Sequence, residues 1–191
     1  MSLLNHGATC LTLSTITSRF VFPQLSLEGR RIWVIGMVPM ERSTVLWGKF
    51  FFAAGGSLLI SGTLIGLSDL MLELDGWIIG VHMIVVVCAC CGLNGLAIGL
   101  GAIYPDMRSD NPSQIVSSFG GTLNLLCSIF FVVFTVLVVA LPLHEYARAP
   151  VYVQRFHAVL SVCIGADVVL AALACLVPMA AGVRAFRRME F

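Results

Sequence analysis

Four apolar runs, 46–67, 77–103, 119–141 and 159–182, dominate this 191-residue chain. An α-helix needs roughly 20 apolar residues in succession to cross a bilayer, and each of these runs meets or approaches that length. Lipid offers no hydrogen-bond partner, so the backbone groups of such a run must be satisfied within the segment, which selects helices. A fifth run, 3–22, is more polar and contains Asn5, His6, several Thr and Ser, and Arg19. Its hydroxyls can bond back to the helix backbone, so a span is expected there too. It lacks the basic start of a cleaved signal peptide. Charged residues make up 11% of the chain and hydrophobic residues 59%, against about 25% charged in soluble domains. Too few polar side chains remain to coat a soluble core. The expected fold is all-α: a polytopic transmembrane bundle of about five spans plus a short interfacial cytoplasmic helix. It is read as a single domain over 1–191, with a cytoplasmic loop at 23–45.

Short loops rich in Lys and Arg stay on the cytoplasmic side, so basic residues set the orientation. Arg30, Arg31, Arg42 and Lys49 follow the first run, whereas 68–76 carries Asp69, Glu73 and Asp75 and no base. Arg108 lies in the turn after the third run, Arg148 and Arg155 lie in 142–158, and Arg184, Arg187 and Arg188 lie in the tail. Eight basic residues fall on one side and two on the other, which places the N-terminus outside and the tail in the cytoplasm. An odd number of spans starting outside without a signal peptide leads to the expectation that upstream helices are missing or that a neighbouring chain supplies them.

Several function classes can be set aside. No basic patch is interleaved with aromatics, so nucleic acid is not an expected partner. All seven cysteines fall inside apolar runs without a CxxC pair and read as small buried hydrophobes. The cluster Cys88, Cys90, Cys91 has only His82 nearby in its segment, which is too few convergent ligands for zinc. No G-x-x-x-x-G-K-[ST] occurs, since Gly48 and Lys49 are followed by Phe50. Without that loop the chain has no P-loop cradle for nucleotide phosphates. H-E-x-x-H and G-x-S-x-G are absent as well. No catalytic, cofactor-binding or metal residue is therefore expected, the chain is not read as an enzyme, and ATP hydrolysis would belong to a partner.

Small residues recur at packing spacing: Gly62 with Gly66, Gly95 with Gly99, and Ala53, Ser57 and Ser61. Such stripes let helix backbones approach closely, and packing within one bundle is preferred over a dimer seam. Asp167 is the one acid well inside an apolar run. A charge at mid-membrane costs about 2.5 to 3.5 kcal/mol, so Asp167 should face protein or water, in a packing or a functional role. His82 is read as an interface residue.

Two polar segments carry the remaining information. In 99–126 Pro105 ends one apolar helix, Asp106 and Asp110 bracket Arg108, and Asn111, Pro112 and Gln114 read as an N-cap, a first-turn proline and a capping-box partner. The helix they start is expected to run on through Phe119. The aspartates have no nucleophile or histidine nearby, so acid–base catalysis is not expected. In the second segment, SLEGRRIW at 26–33, Pro23 and Pro39 bracket a short helix from Ser26. Glu28, Arg30 and Arg31 would face water there, while Trp33 dips into the headgroup region.

The series RFVFPQLSLEGRRIW, LWGKF and YPDMRSDNPSQIVSSFGGTLNL resembles, in wording and order, the membrane subunits of bacterial ABC exporters of the ABC-2-like class. The likeness is strong over 20–126 and extends to the remaining helices by hydropathy alone. It implies the later portion of a permease in the bacterial plasma membrane, forming a helical path and paired into a dimer or pseudo-dimer. A separate ABC ATPase subunit would drive it through a cytoplasmic coupling loop holding Ser26, Glu28, Gly29, Arg30, Arg31 and Trp33. An upstream permease half is a further partner the resemblance suggests. The alternative is a non-transporting structural or regulatory membrane protein, or a truncated permease fragment, motivated by the short chain. A secondary transporter or channel would need embedded charge pairs or broken helices, for which only Asp167 and Arg19 qualify.

Overall fold

The computed structural model describes residues 2–31, 41–107, 111–148 and 153–188. Among these the secondary structure is helical, with no strand. Helix α1 (Ser2–Ile16) passes into a π turn (Thr17–Val21) and two 3₁₀ turns (Phe22–Gln24 and Ser26–Arg31). There follow α2 (Arg42–Met71), α3 (Gly76–Ile103), the short α4 (Pro112–Val116), α5 (Phe119–Arg148) and α6 (Val153–Arg188). Among the described residues four helices are long and apolar enough to cross a membrane: α2 over Ser43–Met71, α3, α5 over Phe119–Leu141, and α6 over Ala158–Arg188. The segment expected as the first span is helical, but its α-helix has 15 residues and it is not one of the four. The expected loop 142–158 is helical up to Arg148 and again from Val153.

Helix α3 is the centre. It is largely apolar around its circumference; every residue from Gly92 to Ala102 is buried, whereas Met83, Ile84 and Val87 nearer its start are exposed. Its closest neighbour is α6, and glycines set the distance. A Cβ on Gly95 would stand 2.8 Å from Cys175 Sγ, and one on Gly99 would stand 2.6 Å from Pro178 Cβ. From the other side, a Cβ on Gly182 would stand 2.8 Å from the Gly99 carbonyl oxygen. The Gly95–Gly99 stripe is thus a seam within the bundle. The other pair, Gly62 and Gly66, meets nothing within 4 Å.

Polar side chains pin the helices to one another. Asn94 of α3 donates to Ser57 Oγ of α2 at 2.7 Å and to its own helix at the Cys90 carbonyl at 2.8 Å. Ser61 and Cys90 meet at 3.2 Å, and Asn124 of α5 donates to Ser18 Oγ at 3.2 Å. Buried in a low-dielectric interior, each such bond fixes rotation and register between helices.

The α2–α3 turn is tight. Glu73 takes a left-handed backbone (φ 51°), the one non-glycine residue to do so among the described residues. Asp69, on the last turn of α2, is therefore carried inside rather than into a loop. Its Oδ2 lies 2.8 Å from His82 Nδ1, both side chains are fully buried, and His82 stacks on His6 of α1 with ring centroids 5.3 Å apart. His82, expected as an interface residue, is thus packed inside the bundle near the start of α3.

Candidate functional site

At the opposite end of the bundle, the last residues of α1 fold into a compact ledge. Pro23, in the first turn of a 3₁₀ segment, and the π turn before it redirect the chain across the helix ends. Phe22, 1% exposed, is the wedge beneath. A Cβ on Gly101 would lie 2.6 Å from the Phe22 carbonyl oxygen, and one on Gly120 would lie 3.2 Å from its ring. Both glycines are therefore the space into which the ledge settles.

Within SLEGR, Ser26, Glu28 and Gly29 each have a structural task. Ser26 is fully buried, and its Oγ accepts the backbone N–H of Asp106 at 3.1 Å. Glu28 receives Lys49 of α2, Nζ to Oε1, at 2.5 Å, with both side chains partly exposed. Gly29 kinks the 3₁₀ turn at φ 42°, ψ −123°, a conformation that side chains with a Cβ rarely adopt. The expected single short helix from Ser26 is thus two turns joined at Gly29. The backbone of Arg30 and Arg31 continues this turn; Trp33 lies outside the described residues.

The hairpin motif meets the ledge directly. Helix α3 stops at Ile103, and Pro105 and Asp106 form its partly buried exit. Asn111 stands before Pro112 with extended backbone, and its Oδ1 accepts Ser113 N–H at 3.0 Å. The helix it caps does not run on through Phe119: it ends at Val116, and α5 starts anew at Phe119. The restart has its own cap, since Ser118 Oγ accepts from Gly121 N–H at 3.4 Å. Gly121 fits there because a Cβ would sit 2.8 Å from Val116 Cα. Tyr104 and Phe119 close the corner edge to face, with centroids 5.5 Å apart. Arg108 and Asp110 lie outside the described residues.

The same end gathers the start of α2 and the end of α6. Arg187 reaches Ser43 Oγ at 3.4 Å and Glu41 Oε2 at 3.9 Å. The ledge, the hairpin, the start of α2 and the end of α6 thus form one surface carrying Lys49, Arg184, Arg187 and Arg188. The position of Lys49 opposite Glu28, 21 residues away, has no local signature in the sequence.

Asp167 is elsewhere, in the bundle interior. It is 1% exposed, with Thr135 of α5 and Cys88 of α3 beside its carboxylate. No group of three or more His, Cys, Asp or Glu with metal-binding geometry occurs among the described residues.

A family model described as "Putative ATP-binding cassette" matches residues 1–191. No curated protein and no solved structure matches the chain.

Proposed function

The chain belongs to the family described as "Putative ATP-binding cassette", and from that membership we propose that it is the membrane-spanning permease component of an ATP-driven exporter. A separate ATPase energises it by docking on the ledge. The residues supply the division of labour: four helices suit a membrane path, and the sequence carries no P-loop to hold nucleotide.

The observation that carries the reading is the bond from Asp106 N–H to Ser26 Oγ. It joins the two segments whose wording resembles exporter subunits into one body at one end of the bundle. A lever must be stiff to pass movement into the membrane. The Ser26 bond, the Glu28–Lys49 pair and the Phe22 wedge tie the ledge to α1, α2, α3 and α5, so a push on it is felt by all four helices. In this reading Ser26, Glu28, Gly29, Arg30, Arg31 and Trp33 form the coupling loop, and the surface faces the cytoplasm of a bacterial cell.

The test is to purify the protein with the ATPase encoded beside it and measure ATP hydrolysis in proteoliposomes. A stable complex with hydrolysis stimulated by the membrane subunit is expected. An ATPase that neither binds nor responds would contradict the proposal.

A further inference from the structure

At the end of the bundle away from the ledge, three helices meet through titratable side chains. Asp69 of α2 holds His82 of α3, Oδ2 to Nδ1 at 2.8 Å, and the His82 ring lies against His6 of α1 with centroids 5.3 Å apart and planes inclined by 27°. Cys10, one turn further along α1, places its Sγ 3.5 Å from His6 Nε2. All four side chains are buried, none more than 1% exposed.

This array has a limited capacity for protons. A carboxylate taken out of water is costly unless its charge is matched, and one proton on His82 makes its pair with Asp69 neutral overall. A second proton would fall on His6. An imidazolium donates from both ring nitrogens, yet His6 has only the Cys10 sulfur at Nε2, and its buried Nδ1 has no hydrogen-bond partner among the described residues. Two positive rings would also lie face to face. The other titratable groups of this interior gather around Cys10 rather than His6: Cys90 of α3 and Asp167 of α6 are its electrostatic neighbours, and the Asp167 carboxylate sits beside Thr135 and Cys88. Helix α5 meets α1 through Val136 and Asn124, neither of which titrates. Helix α1 is at the edge of the bundle, with Leu4 and Leu11 more than half exposed. It joins the ledge through the π turn Thr17–Val21, an irregularity of the kind at which helices bend.

We propose that Asp69, His82 and His6 form a proton-operated latch on α1. With one proton the array holds α1 against α2 and α3; a second proton charges His6, and α1 swings away from this end about the π turn. The released state binds the proton that the closed state excludes, so acidification favours release. Because release takes up one proton, its equilibrium constant rises about tenfold between about pH 7.5 and about pH 5.5, a window spanning the ordinary histidine value of about 6.5. The latch stands apart from the exporter reading, since it needs neither an ATPase nor a cargo.

The experiment uses the full chain in phosphatidylcholine nanodiscs with Gly7→Cys, where an added Cβ makes only ordinary contact, 4.0 Å from Val136. Reaction of position 7 with a water-soluble maleimide is followed by mass spectrometry across that pH window. Each rate is divided by that of the unfolded protein at the same pH, which removes the titration of the thiol itself. The normalised rate should rise about tenfold on acidification. Adding His6→Phe keeps a flat ring against His82 that takes no proton, and the rise should shrink to less than about twofold. Should that variant fail to fold, His6→Gln carries the same expectation. His144 and His157, the other histidines of the chain, remain in every variant, so a response of theirs would persist. A flat rate in the chain with His6 intact, or the same rise in a folded variant lacking it, would overturn the latch.

Discussion

Ser26 Oγ accepts the backbone N–H of Asp106 at 3.1 Å, across 80 residues of sequence. One serine thereby holds the turn after α3 against the end of α1. Ser26 is fully buried, so little water can replace the hydroxyl if it is lost.

Replacing Ser26 by Ala should therefore loosen the α3–α5 hairpin without unfolding the bundle. A fully buried amide left without its acceptor costs about 1–3 kcal/mol, and the partly buried Asp106 amide belongs at the low end. Hydrogen–deuterium exchange at the Asp106 amide should quicken by about fivefold or more, as expected for a local opening energy reduced by about 1 kcal/mol. Unchanged protection there would mean the bond does not hold the hairpin.

The glycines should divide sharply. Gly99→Ala drives a methyl to 2.6 Å from Pro178 Cβ, and overpacking of this kind typically costs about 1–3 kcal/mol. Gly62→Ala meets nothing within 4 Å and should stay within about 0.5 kcal/mol of the parent. Thermal unfolding of both variants in the same detergent checks the contrast. Equal losses would place the α3–α6 seam in error.

Asp69 and His82 call for a smaller number than their burial first suggests. Leaving one member of a buried hydrogen-bonded pair without its partner costs up to about 3 kcal/mol in a soluble core. In a membrane the unpacked state also finds partners, and polar pairs measure nearer 1 kcal/mol. A double-mutant cycle with Asp69→Asn and His82→Ala, read by denaturation in mixed micelles, should return a coupling of about 0.5–2 kcal/mol. A coupling near zero would show that the contact does not stabilise the fold.

Much of the architecture is legible in the residues. The apolar runs that become α2, α3, α5 and α6 are long enough to dictate helices, and Asn111 before Pro112 marks its cap on chemistry alone. What escaped is long-range or depends on a turn. The Ser26–Asp106 bond has no local signature. Asp69 reads as a loop acid because the α2–α3 turn hinges on Glu73 accepting a left-handed backbone, which composition does not favour. The continuous helix expected after Asn111 breaks because Ser118 can cap a new one, and Gly120 and Gly121 let Phe22 and Val116 come close. His6, His82 and Asp69 meet only once three helices have packed.

Orientation can be checked independently of any partner. The basic-residue count predicts that the ledge and tail face the cytoplasm and that the loop 68–76 faces outside. A cysteine introduced at Glu73 should react with a membrane-impermeant maleimide in intact cells, above the background of the native thiols. One at Arg187 should react only after the cells are opened. The reverse pattern would invert the topology and move the ledge to the wrong side for an ATPase.

The most direct measurement is the affinity of the adjacent ATPase for the membrane subunit when the ledge is altered. Glu28→Arg would place a second cation against Lys49, its partner at 2.5 Å, while Arg30→Glu reverses charge one residue beyond the Gly29 kink. Combining Glu28→Lys with Lys49→Glu retains opposite charges across the contact and reverses their positions, separating ledge integrity from surface charge. Co-purification should fall at least tenfold in both single reversals and in the swap, with membrane insertion and thermal stability of the swap unchanged. Undiminished association in all three would contradict docking on the ledge.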